Sequence, residues 1–226
     1  MTLLSISNVL DRSALEEVKA SLAAGAWRDG RETAGRVARR VKDNEQADLT
    51  TPEGTKLRQK LRDAVLQHPV IKAAARPRLI SKLMVSRTSG GGHYGPHVDN
   101  AFMGKGASRL RTDLSFTLFL SDPKDYEGGE LIIHSPSGAQ EIKLQPGELC
   151  LYGTGEIHEV APVTRGERIV AVGWIESTIA DAQQRALLFD LENLRVSLRQ
   201  SLPAGSLELL TLDKSIANLL RMWGRS

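Results

Sequence analysis

Asp113-Leu-Ser-Phe-Thr-Leu-Phe-Leu-Ser121 is the stretch on which the fold reading turns. Leu114, Phe116, Leu118 and Leu120 fall on one side of an extended chain and Ser115 and Thr117 on the other, a period of two that a helix cannot use. Working outward, similar short runs are punctuated by turn chemistry. The run 79–87 ends at Gly90-Gly91-Gly92, Gly128-Gly129 turns into 130–134, and Ser137-Gly138 turns into 140–144. Pro146-Gly147 precedes 148–152, and 157–161 and 168–176 complete the set. Many short strands at this spacing predict an antiparallel sandwich or jelly roll, not a parallel βαβ sheet.

Helical patterning flanks these strands on both sides. Within 13–24, Leu15, Val18 and Leu22 recur at helical spacing before Gly25, and 57–67 repeats the pattern with Leu57, Leu61, Val65 and Leu66 before His68-Pro69. The segment 27–48 is polar and without a period, and reads as an irregular excursion or a lid. Beyond the strands, 182–198 places Ala186, Phe189, Leu194 and Leu198 near one face, and 207–223 resumes after the Pro203-Ala-Gly205 break. The expected organisation is an N-terminal helical and irregular segment over 1–77 packed on the core, a jelly roll over 78–178, and a C-terminal helical extension over 179–226. The fold class is α+β, a double-stranded β-helix (jelly-roll) core with flanking helices.

Composition excludes several classes. With 41% hydrophobic and 25% charged residues in 226, the chain is an ordinary globule and not a disordered or collagen-like one. A net charge of +3 does not mark a nucleic-acid binder, although Arg36, Arg39, Arg40 and Lys42 form a local basic cluster; a solvated helix face is its plainer reading. The single Cys150 excludes an internal disulfide and a cysteine-based metal cluster, and its apolar neighbours suggest a buried, inert thiol. No apolar run reaches the length of a membrane span, so a cytoplasmic location is the expectation.

Histidine is scarce, five in the chain, which focuses the search for chemistry. His97 and Asp99 stand two apart, so that an extended chain would turn both to one side. A His-x-Asp pair alone is more often a solvated pair or a structural hydrogen bond. His158, in a later strand-like run, would complete two imidazoles and a carboxylate on one face, a set that leaves three adjacent positions open on a non-haem Fe(II) centre. Arg168 opens the next strand and offers a permanent planar charge for the far carboxylate of a keto acid.

Tyr94-Gly-Pro-His97-Val-Asp99, Leu118-Phe-Leu-Ser-Asp122, Glu127-Gly-Gly-Glu-Leu131, Pro146-Gly-Glu-Leu-Cys-Leu-Tyr152, His158 and Val163-Thr-Arg-Gly-Glu-Arg168 together resemble the Fe(II)/2-oxoglutarate-dependent dioxygenases related to prolyl 4-hydroxylase. The closer likeness is to the bacterial PKHD-type hydroxylases. It extends over nearly the whole chain, through Trp27-Arg-Asp-Gly30, Thr33-Ala-Gly35, Arg111-Thr-Asp-Leu-Ser115 and Trp174-Ile-Glu-Ser177. The resemblance implies a dioxygenase that hydroxylates a substrate with release of succinate and CO2, with His97, Asp99 and His158 as Fe(2+) ligands. It implies Arg168 as the anchor of the co-substrate 2-oxoglutarate, Tyr94 as a further cofactor-binding residue, and L-ascorbate as a reductant.

Other signals are weaker. Gly90-x-Gly92-x-x-Gly95 has a dinucleotide-binding spelling, but Pro96 interrupts the helix that such a site needs. His93 reads as a residue of the pocket mouth or the surface, His134 as a hydrogen-bonded sheet histidine, and Gly128-Gly129 as turn geometry. Trp174 reads as core or as a wall of the keto-acid pocket, Arg165 as the alternative anchor, and 100–110 as a mobile loop beside the metal. Leu187, Leu194, Leu207, Leu210, Leu219 and Leu220 would pack inward or support a homo-oligomer. A cupin-like module that binds a metal or ligand without turnover is the alternative function. The substrate, whether a peptidyl residue, an amino acid or a small metabolite, is not legible, and fold analogy does not select one.

Overall fold

The computed structural model describes residues 3–33, 41–106 and 109–225. Two antiparallel sheets face each other. The larger orders its strands Leu4–Ile6, Leu149–Gly153, Leu114–Phe119, Glu167–Ser177, Met84–Ser89, Glu45–Ala47 and Trp27–Asp29, with Pro77–Ile80 pairing the far end of Glu167–Ser177. The smaller runs Gly138–Ile142, Leu131–Ser135, Ile157–Val160, His93–His97 and Lys42–Asp43. This is the jelly roll expected from the alternating runs.

The alternation at 113–121 decides how the layers stack. Leu114, Phe116 and Leu118 turn outward into a core shared with three N-terminal helices, α1 (Arg12–Ala23), α2 (Pro52–Gln67) and α3 (Pro69–Ala75). Asp11 caps α1 by accepting the Ala14 N–H at 2.7 Å, and its buried stripe is Leu15, Val18 and Leu22. Thr51 caps α2 ahead of Pro52, and Leu57, Leu61 and Val65 are buried from it. Gly54 is required there, since a Cβ would stand 2.6 Å from the Leu49 Cα. On the opposite face of the same strand, Phe119 joins Cys150, Tyr152 and Val170 in an inner cluster with Leu131, Ile133 and Ile142 of the small sheet. Ser115 and Thr117 share that inner side, so their face looks into a cavity between the sheets and not into solvent.

Several expectations are corrected. The segment 27–48 supplies three short strands, Trp27–Asp29, Lys42–Asp43 and Glu45–Ala47, because its backbone groups find partners on the edges of both sheets. Such pairing leaves no hydrophobic period in the sequence. Lys42 is therefore a buried strand residue and not part of a solvated helix face, while Arg36, Arg39 and Arg40 lie outside the described residues. The single run expected at 79–87 is two strands, and Pro69 starts a short helix that ends at Arg76 with φ +44. The segment 100–110 contains a paired Phe102–Met103 and Leu110–Arg111, with 107 and 108 outside the described residues.

The C-terminal helices α4 (Ala182–Leu198) and α5 (Leu207–Trp223) fall where expected, but their inward face differs. Leu188, Ile179 and Ile216 form their core, Leu219 and Leu220 pack against it, and Leu187, Leu194, Leu207 and Leu210 are exposed. Arg185 is buried at the junction because its Nη1 donates to the carbonyls of Ile179 and Ala180. Arg76 joins α4 to α3 through an ion pair with Glu192 at 2.9 Å.

Leu118 is fully buried at the centre of the outer core. Leu118→Ala is expected to cost about 2–5 kcal/mol of unfolding free energy. Urea unfolding followed by circular dichroism measures this, and a loss below the lower figure would mean that the helices do not depend on this strand for their packing.

Candidate metal and keto-acid site

His97 and His158 are direct register partners on neighbouring strands of the small sheet, which brings their ring centroids to 4.3 Å. Asp99 does not share the His97 strand, as the i, i+2 reading supposed. That strand ends at His97, and the chain then carries Asp99 toward the large sheet. There Ser115 Oγ and Trp174 Nε1 both donate to Asp99 Oδ2, at 2.9 and 2.8 Å. Ser115 and Trp174 are themselves cross-strand partners, so one row of the large sheet presents both donors side by side. One ligand-capable atom from each of His97, Asp99 and His158 lies within 4.8 Å of the other two.

The ring tautomers follow from the partners. Nδ1 of His97 lies 2.8 Å from the Gly95 carbonyl and Nδ1 of His158 lies 3.0 Å from that of Glu156. A carbonyl only accepts, so each Nδ1 carries the proton and each Nε2 keeps its lone pair. His158 Nε2 stands 3.5 Å from Asp99 Oδ2. Two lone pairs and a carboxylate converging in a sheltered space repel one another, and a divalent cation resolves that repulsion. The donor set of two imidazoles and one carboxylate suits iron with open positions. Burial, and next the neighbouring His158, lower the His97 imidazole to about 4, so it stays neutral at neutral pH.

The other expected residues lie around one cavity of about 480 Å³ between the sheets. Tyr94 stacks on His97 with centroids 3.7 Å apart, and burial raises its phenol well above the usual range. Arg168 is 2% exposed and its Nε is buried without a hydrogen-bond partner among the described residues. A guanidinium so placed calls for an anion. Gly129 makes room for it: the residue sits at φ +69, and a Cβ there would stand 2.9 Å from Arg168 Cδ and 3.1 Å from Tyr126 Cε2. The glycine pair expected to serve only a turn therefore also shapes the anion end of the cavity. The orphaned Arg168 Nε and the converging lone pairs fit a metal and a dicarboxylate together.

Arg165 is excluded as the alternative anchor, since it is exposed and pairs with Glu127 at 2.9 Å. His134 is hydrogen-bonded to Glu159 at 2.8 Å on its sheet, as expected, and His93 belongs neither to the triad nor to the cavity lining. Cys150 is fully buried and its thiol is pushed up to about 12, an inert group. Ser115, Tyr152 and Lys42 were not singled out by sequence reasoning as site residues. The signal for Tyr152 was there: it alternates with Leu151 in its strand and so faces inward, where it meets His158 edge-on at 5.3 Å. Ser115 could have been found by the same alternation, whereas nothing local marks Lys42.

Fold and site together define an Fe(II)- and 2-oxoglutarate-dependent oxygenase. Residues 83–176 match the 2OG-Fe(II) oxygenase superfamily. A PKHD-type hydroxylase of Hyphomonas neptunium is 52% identical, covering 96% of this chain and 97% of its own. A PKHD-type hydroxylase of Maricaulis maris is 42% identical over 98% of each. The prolyl hydroxylase of Trichoplax adhaerens, solved with a peptide fragment of the hypoxia inducible factor oxygen degradation domain, shares the fold at TM-score 0.57 and 20% identity, covering 82% of this chain and 86% of that one. The chain belongs to the PKHD-type hydroxylases: it is a 2-oxoglutarate-dependent hydroxylase and not a turnover-free binding module. No helix among the described residues is long and apolar enough to cross a membrane.

The depressed His97 imidazole sets a pH dependence of stability. Between pH 6.5 and about 4 the unfolded chain takes up a proton that the folded site refuses. Metal-free protein should therefore lose stability as pH falls through that window, and His97→Asn should flatten part of the slope. Urea midpoints measured across the window check this; identical slopes for the two proteins would remove His97 as the cause.

Proposed function

We propose that His97, Asp99 and His158 hold the Fe(II) of this hydroxylase and that Arg168 pairs with the remote carboxylate of 2-oxoglutarate, with Tyr94 lining the co-substrate. The observation that carries this reading is the convergence of the three donors with both Nδ1 atoms already committed to backbone carbonyls. When bound, the iron and keto acid supply oxidative decarboxylation to succinate and CO2 and the oxidising power for C–H hydroxylation.

The protein contributes position and a sheltered space. The carbonyls of Gly95 and Glu156 fix the two imidazoles, and Ser115 and Trp174 fix the carboxylate, so each donor is oriented before the metal arrives. Arg168, at the other end of the cavity, gives the keto acid one direction in which to lie. Tyr152 keeps its proton, because burial and then Asp99 push its phenol well up, and stays a hydrogen-bond donor between the two charged ends. The layered core shelters the inner part of the cavity, which strengthens these interactions.

The finer assignments are also proposals. L-ascorbate serves as the reductant that restores Fe(II), supported by the family likeness alone; ascorbate that fails to extend the number of turnovers would remove it. The exposed leucines 187, 194, 207 and 210 support self-association, which sedimentation velocity checks. A lone buried cysteine supports a reducing, cytoplasmic setting. The core shared by Leu61 and Leu118 supports the helices of residues 1–77 as packed on the jelly roll, while other parts of that segment add strands to its sheets.

Anaerobic titration of Fe(II)-loaded protein with 2-oxoglutarate, reading the metal-to-ligand charge-transfer band, tests the site. His97→Ala and Asp99→Ala should lose iron, band and succinate formation together; full activity in either sinks the ligand assignment. Trp174→Phe removes one of two donors to Asp99 and should weaken Fe(II) binding about 10–100-fold. Arg168→Ala should keep iron and lose about 2–5 kcal/mol of 2-oxoglutarate binding. An unchanged affinity there would pass the anchor role to another residue.

A further inference from the structure

Ser115 and Trp174 hold Asp99, but their neighbours in Arg111-Thr-Asp-Leu-Ser115 and Trp174-Ile-Glu-Ser177 have so far no role. Asp113 stands two residues before Ser115, and Glu176 two residues after Trp174. Each strand that carries a donor to Asp99 therefore carries a carboxylate just beyond it. The side chains of Asp113 and Glu176 are only 7% and 8% exposed, and carboxylates so sheltered are costly without cations. Arg111 serves both. Its Nε and Nη2 donate to Asp113 Oδ1 and Oδ2 at 2.6 and 2.9 Å, a bidentate pair. Its backbone N–H donates to Glu176 Oε2 at 2.8 Å, and Nη2 also reaches the Ser177 carbonyl at 3.3 Å. Asp113 Oδ2 in turn accepts the Ser177 N–H at 2.8 Å. Arg78 takes the other oxygen of Glu176, at 3.0 Å from Nε and 2.8 Å from Nη2, and donates to no atom of Asp113 among the described residues.

Arg111 also closes the chain that leaves Asp99. Asp99 belongs to no strand of its own, and Asn100 follows it directly. The chain turns back so that Phe102 pairs with Arg111 and Met103 with Leu110. At the base of this pairing Thr112 Oγ1 donates to the Asn100 carbonyl at 2.6 Å, and the Thr112 N–H donates to that of Ala101 at 3.1 Å. The Asp99 carboxylate is held by Ser115 and Trp174, and the backbone beside it is clamped by Thr112. Arg111 stands where these two supports join, bonded to both strands of the large sheet and adjacent to the clamp.

We propose that Arg111 is a positioning residue of the metal centre. Its bidentate hold on Asp113 and its backbone bond to Glu176 keep the Ser115–Trp174 row and the Asn100 clamp in the relative placement that aims Asp99 at the two imidazoles. The inference rests on Asp99 being a metal ligand. It gives the two motifs one shared purpose, with an ion pair outside the cavity setting the geometry of a carboxylate inside it.

The test is anaerobic calorimetry of Fe(II) binding to the metal-free protein, with urea unfolding of each variant alongside. Arg111→Gln should weaken Fe(II) binding about tenfold or more. Arg78→Gln removes a cation from the same Glu176 and serves as the structural control. It should destabilise the fold yet leave Fe(II) affinity within about twofold. Combined with Ser115→Ala, Arg111→Gln should lose less than the product of the two separate losses, because both act through Asp99. Unchanged Fe(II) affinity in Arg111→Gln, an equal loss in Arg78→Gln, or losses that simply multiply in the double variant overturn the proposal. Should Arg111→Gln not fold, Arg111→Lys decides in its place, since it keeps the charge but not the bidentate fork. It should show the same loss, and unchanged affinity there overturns the proposal. Asp99→Ala in the same series reports on the underlying reading separately: full Fe(II) binding by that variant removes Asp99 as a ligand, whatever Arg111 does.

Discussion

The carboxylate of Asp99 ties the two sheets together where it converges with the two imidazoles. His97 and His158 belong to the small sheet, and Ser115 and Trp174 belong to the large one. Asp99 lies on the chain between them and accepts two hydrogen bonds from the large sheet while facing the imidazoles of the small sheet. A shift of one residue in the strand Leu114–Phe119 would turn Ser115 away and replace it with an apolar side chain. The outer core guards against that shift. Leu114, Phe116 and Leu118 are each buried against the N-terminal helices, and a one-residue shift would turn all three to the opposite face. Packing on one face of this strand therefore holds the geometry of the site on the other.

The same strand logic spaces the two ends of the cavity. Arg168, Val170, Val172 and Trp174 alternate along one strand and all line the cavity. Trp174 meets Asp99 beside the two imidazoles and Arg168 stands further along the same strand, so the spacing between the two groups is set by a single rigid element. Rigid elements hold such distances better than loops do. The cost is a buried guanidinium, for which Gly129 leaves room.

The helices have a different task. α1, α2 and α3 bury the outer face of the large sheet, while α4 and α5 form a separate small core around Leu188 and Ile216 that reaches the rest through α3. Among the described residues, neither group contributes to the lining of the cavity. Their contribution to function is the stiffness of the sheet that carries Ser115, Trp174 and Arg168.

The alternation at 113–121, the turn glycines, and the spacing and flanks of His97, Asp99, His158 and Arg168 made the jelly roll and its triad legible in the amino-acid sequence. A period of two and a set of ligand types are local properties, carried by each segment on its own. Three things were decided only by tertiary structure. Asp99 is placed by donors on a different sheet and not by its own strand, since hydrogen-bond partners distant in sequence leave no local pattern. Residues 42–47 became strand because two sheet edges offered them partners, although they show no hydrophobic period. The inward face of α4 was set by the buried Arg185 and by α3, and that of α5 by α4, so residues that the helical period favoured, such as Leu194, stand in solvent. Sequence specifies what each segment can pair with; only closure of the whole fold decides which pairing each segment receives.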